Sequence, residues 1–75
     1  MTKLKYEYGQ SIGPRATLEK PYGTWSIVAP TRYTNYCFEI ALLIDNDLVD
    51  IDDNDQIKRF TNEEEALTFI ESYVP

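Results

Sequence analysis

Six aspartates fall within the eleven positions from Asp45 to Asp55 (Asp45, Asp47, Asp50, Asp52, Asp53 and Asp55), with no basic residue among them. Clustered carboxylates can ligate a hard cation, cap turns or present a charged surface. Read as a calcium loop starting at Asp50, "DIDDNDQIKRFT" puts Asp50, Asp52 and Asn54 at the first, third and fifth places and Ile57 at the hydrophobic eighth. The sixth place needs Gly for its sharp turn and holds Asp55; the twelfth needs a bidentate Glu and holds Thr61. No helix is expected before it either. No metal site is therefore assigned. The simpler reading makes these residues turn formers, since Asp and Asn satisfy turn backbones with their own side chains. Yet charges of one sign repel within a Debye length of about 8 Å, so an unbroken acidic run costs stability that a merely soluble loop avoids. A working acidic surface follows as the first candidate site, extended by Glu63, Glu64 and Glu65.

Catalytic chemistry finds little support in the residue types. The chain has no histidine, which removes the ordinary Ser-His and Cys-His nucleophile pairs, and Cys37 is expected inside a strand, where a small apolar filler is the simplest role. General acid work needs a buried carboxyl with a raised pKa and a partner at fixed separation, whereas these acids sit at turns and at a helix start. "GQSIGPR" has two glycines but lacks the Gly-Lys-Ser/Thr ending of a phosphate loop. No enzyme and no cofactor are expected. Among the aromatics, Tyr6 and Tyr8 read as core. Tyr33 and Tyr36, flanking a loop with Arg32 and Asn35, form a second candidate contact site, because exposed Tyr and Arg are common interface anchors.

The net charge of −6 is unevenly spread. Residues 1–35 carry five bases and two acids, and residues 36–75 carry two bases and eleven acids. Direct nucleic-acid binding needs clustered Lys and Arg, so this balance points instead to a protein partner with a basic surface. As a DNA mimic the aspartate run alone is too sparse. Eleven extended residues span roughly 36 Å, or one charge per about 6 Å, against about 3.4 Å along a DNA strand. Only the aspartate run and the helix start lying side by side would approach duplex density.

Seventy-five residues, 43% hydrophobic and 13% aromatic, suit one small domain (1–75) with a thin core rather than a disordered tail. One cysteine fits a reducing compartment, and the expected location is the cytosol. The longest apolar run, Ile40 to Ile44, is far short of the roughly 20 residues that span a bilayer, so no membrane association is expected.

The elements that must position these residues follow from periodicity. "KLKYEYG" alternates, with Leu4, Tyr6 and Tyr8 facing inward, and "GQSIGP" reads as a loop. "RATLEK" and "TWSIVAP" form a hairpin about a type I turn at "KPYG", with Ala16, Leu18, Trp25, Ile27 and Ala29 inward. "YCFEIALLI" is the central strand. A two-residue turn at Asp45 and Asn46 pairs Ile44 with Asp47, Leu42 with Val49, Ile40 with Ile51, Ala41 with Asp50 and Glu39 with Asp52. The last is a like-charge pair that costs stability unless something basic stands there. Thr61 with Glu64 reads as a capping box opening a helix whose inner arc is Ala66, Leu67, Phe69, Ile70, Tyr73 and Val74.

Strands first and a helix last imply α+β: an antiparallel sheet of four or five strands with a C-terminal helix on one face. The expected function is stoichiometric protein binding through the acidic surface. Phage or mobile-element inhibitors of host nucleic-acid-handling or defence proteins set the class-level expectation. The alternatives are an accessory subunit joining a larger assembly through a sheet edge or "TRYTNY", a divalent-cation protein, and a sponge holding a small signalling molecule between protomers. The oligomeric state and the partner's identity are left open.

Overall fold

A computed structural model describes residues 4–8 and 13–75. The order is β1 (Glu7–Tyr8), β2 (Pro14–Lys20), β3 (Gly23–Val28), a single 3-10 turn (Arg32–Thr34), β4 (Phe38–Ile44), β5 (Asp47–Val49), β6 (Ile57–Phe60) and α1 (Glu63–Ser72). The fold is α+β: one antiparallel sheet with a C-terminal helix. The six strands make five rows, because β5 and β6 share the edge of β4 that faces away from β3.

Alternation writes the inner face. Ala16 opposes Ile27, Leu18 opposes Trp25, and Trp25 and Ile27 oppose Leu42 and Ile40. Trp25, Ile27, Ile40 and Leu42 are fully buried, with Ala66 and Ile70 of α1 closing over them. Each such aliphatic or aromatic side chain contributes about 1.5–3 kcal/mol on burial. Trp25 anchors the layer: its indole N–H donates to the Tyr22 hydroxyl at 2.8 Å, and the rings of Phe69 and Tyr73 meet it edge-on at 6.2 and 5.1 Å. Trp25→Ala would cost about 3–5 kcal/mol.

The β2–β3 hairpin turns at Pro21 and Tyr22, as "KPYG" predicts. Gly23 follows because β4 passes close: a Cβ there would lie 2.6 Å from the Leu43 carbonyl oxygen. The β4–β5 turn is also as expected, with Asp45 and Asn46 at φ 54° and 68°, the left-handed pair of a type I′ turn. Ile44 opposes Asp47 and Leu42 opposes Val49.

Beyond Val49 the expected register fails. Ala41, Ile40 and Glu39 pair with Ile57, Lys58 and Arg59 of β6, not with Asp50, Ile51 and Asp52. Residues 50–56 leave the sheet between two consecutive row positions and make a second tight turn, with Asp53 and Asn54 at φ 46° and 71° and Asp55 N–H donating to the Asp52 carbonyl at 2.8 Å. Ile51 is buried against the core and holds this excursion to the helix side. The exchange replaces a Glu39–Asp52 repulsion by a Glu39–Arg59 ion pair at 2.6 Å.

Four smaller expectations are corrected. The strand read from Tyr36 begins at Phe38, because Tyr36 at φ 59° ends the preceding turn, so Cys37 lies outside β4. Tyr8 is 86% exposed, because β1 is two residues long and passes the end of the core; Leu4 and Tyr6 do pack against it. The helix is capped one residue later than Thr61: the Asn62 side chain accepts from Glu65 N–H at 2.8 Å, while the Thr61 hydroxyl donates to the Glu65 carboxylate. Val74 is exposed, because the helix ends at Ser72 and Tyr73 turns to extended backbone. The loop read at "GQSIGP" lies mostly outside the described residues, and its Pro14 already belongs to β2.

Candidate functional site

The carboxylates occupy three places. Asp45 and Asp47 sit at the β4–β5 turn, beside the C-terminal end of β4. Asp50, Asp53 and Asp55 are exposed on the excursion, whose Asp52 is bound by Lys58 Nζ at 2.6 Å. Glu63, Glu64 and Glu65 open α1, which follows the Phe60–Phe38 pair at the other end of β4. Seven strand residues, roughly 20 Å, separate the first group from the third. Asp45 and Asp47 therefore do not lie beside the helix start.

Lys58 explains how the middle group is held. Pairing with Ile40 turns it toward the helix side, where its ammonium lies 5.7 and 5.6 Å from the ring centroids of Phe60 and Phe69 while donating to Asp52. Glu63 accepts a hydrogen bond from the Tyr6 hydroxyl at 3.1 Å. Burial, then that bond and the carboxylate's charge, push the Tyr6 phenol above its ordinary value. At the far end Lys20 Nζ meets Glu71 at 2.9 Å, a cation beside the helix C-terminus.

Strand parity divides charge between the two sides of the sheet. On the helix side and the turns lie Asp45, Asp47, Asp50, Asp52, Asp53, Asp55, Glu63, Glu64, Glu65 and Glu71, against Lys20 and Lys58. On the opposite face Glu7, Glu19 and Glu39 are matched by Arg15, Arg59 and, stacked on Tyr33 at the groove, Arg32, and the exposed Lys5 precedes Glu7. Sequence reasoning saw a division along the chain; folding converts it into one across the sheet.

The aromatic loop is built to hold its tyrosines outward. Thr31 Oγ accepts from Tyr33 N–H, and buried Thr34 Oγ accepts from Thr31 N–H at 2.9 Å and donates to the Thr31 carbonyl at 3.0 Å. Asn35 and Tyr36 then take φ of 56° and 59°, a conformation an aromatic side chain adopts only under constraint. Tyr36 N–H donating to the Thr31 carbonyl at 2.8 Å supplies that constraint. Tyr33 and Tyr36 are exposed, and the Arg32 guanidinium stacks over the Tyr33 ring, 5.1 Å from its centroid.

One surface escaped the sequence reading. On the helix-free face, Val28, Ala41, Leu43, Leu48 and Ile57 line a shallow groove of about 460 Å³ with Tyr33 at its rim. Leu48 and Ile57 are 44% and 50% exposed. The signal was there in "EIALLI", which is apolar at both parities; a strand covered on one face only alternates.

Among the described residues no three or more Asp, Glu, Cys or His gather as a metal site, and no helix is long and apolar enough to cross a membrane. No family model, curated protein or solved structure matches the chain.

Proposed function

We propose that this chain is a non-catalytic binding protein that docks its acidic turns and helix side on a basic protein surface. One observation carries the reading: among the described residues, ten of the thirteen acids share one side of the sheet and its turns with two bases, both already paired to carboxylates. Such a surface steers a cationic partner and sets orientation more than raw affinity. Its narrower form is a phage-encoded inhibitor filling the basic groove of a host nucleic-acid-handling or defence protein. Affinity capture from the native host, followed by titration of the purified captured protein, tests both forms. Binding should weaken at least tenfold between low and physiological salt, and again when Asp50, Asp53 and Asp55 become Asn. Duplex DNA should compete if the narrower form holds. Affinity unmoved by salt and by the Asn variants would move the contact to the aromatic loop or a sheet edge.

A further inference from the structure

We infer that the helix-free sheet face is a self-association surface, occupied by a second copy of this chain in a face-to-face dimer. This inference is independent of the basic-partner reading, which uses the other side of the sheet.

Two observations select the occupant. The first is charge: a chain of net −6 repels its own copy wherever its acids are concentrated. The helix-free face is the exception. Its three acids face three arginines, one of them already bound to Glu39 across the strands, and the exposed Lys5 precedes Glu7, so the described charges there come close to cancelling. An isologous contact here brings two nearly neutral, apolar-centred patches together and leaves both acidic sides pointing outward. A strongly cationic partner gains nothing on this face, and a strongly anionic one gains nothing either.

The second observation is area. Four rows of six or seven residues, about 4.8 Å apart, with the two-residue β1 at the edge, give a face of roughly 450 Å² per partner. A dimer thus buries about 900 Å² in all, in the range of weak, transient interfaces. That area is too small for an obligate dimer, so reversible association is expected. Packing two such faces as aligned sheets also completes the second layer that the apolar strand β4 lacks on this side.

Sedimentation velocity from micromolar to millimolar chain, at low and at high sodium chloride, is the test. The wild type should pass from monomer to dimer, and salt should strengthen the dimer by screening the outward acids, the opposite sign to basic-partner binding. Leu48→Asp and Ile57→Asp place charge at already exposed positions and should each weaken association at least tenfold with an unchanged monomer melting temperature. Glu64→Gln, on the other side, should not weaken it. Should an Asp variant misfold, concentration-dependent amide shifts of the wild type decide: movement at Ala41, Leu43, Leu48 and Ile57 supports the dimer. A wild type monomeric throughout, association indifferent to both Asp variants, or shifts confined to the helix would overturn the inference.

Discussion

Arg59 and Glu39 stand directly opposite each other on β6 and β4, with Arg59 Nε donating to Glu39 Oε2 at 2.6 Å. The Glu39 side chain is 20% exposed and that of Arg59 64%, so the carboxylate is the more desolvated partner. The pair stands where extension of the β4–β5 hairpin would bring two carboxylates together. It lies on the face proposed for self-association, and it keeps that face nearly neutral.

Removing the cation should therefore cost little and reversing it more. Arg59→Ala is expected to lower stability by about 0.5–1 kcal/mol, as for a partly exposed pair. Arg59→Glu, which restores like charges at paired positions, should cost about 1–2 kcal/mol. The swap Glu39→Arg with Arg59→Glu should recover most of it. Urea midpoints at low salt measure all three, and equal losses for Ala and Glu would show that the pair contributes nothing electrostatic.

Asp52 and Lys58 should control the excursion and little else. Asp52→Asn keeps the shape but weakens a charge-assisted bond, for an expected loss of about 0.5–1 kcal/mol. The effect should concentrate on the amides of Ile51 and Asp55, which donate within the turn. Hydrogen exchange there should quicken while the amides of Ile40 and Leu42 keep their protection. Uniform acceleration across β4 would mean that the pair supports the whole fold.

Tyr6 gives a pH dependence with a definite sign. Its phenol is raised in the folded state above the ordinary value of 10.0, so the unfolded chain loses this proton first. Above about pH 10 the unfolded state binds fewer protons than the native one, and stability falls as pH rises. Below that pH the contribution is intact. Tyr6→Phe should flatten the alkaline fall, read from melting temperatures between pH 8 and pH 11 or thereabouts. An unchanged slope would assign the alkaline loss to other groups.

Much of this arrangement is legible in the residues themselves. Trp25 and Ile27 announce their face by alternation, and Ile40, Leu42 and Val49 follow by pairing with that row and with each other. "DN" announces its turn because Asn and Asp tolerate positive φ, and Ala66 with Ile70 announces the inner side of a helix. These signals are local: each depends on a few neighbouring residues and on backbone sterics.

What tertiary structure alone decided is which partner takes each edge and which face is left open. Up to Val49 the hairpin has no rival. From Asp50 onward, two segments compete for the same edge of β4. Ile57–Phe60 wins because it sets Arg59 against Glu39, lays Phe60 beside Phe38, and lets Ile51 drop into the core on an otherwise unpaired turn. Those contacts join residues some twenty positions apart, so no window of sequence contains them. The same holds for the acids, whose clustering along the chain is local information but whose gathering on one side of a sheet depends on strand parity and on where the helix packs.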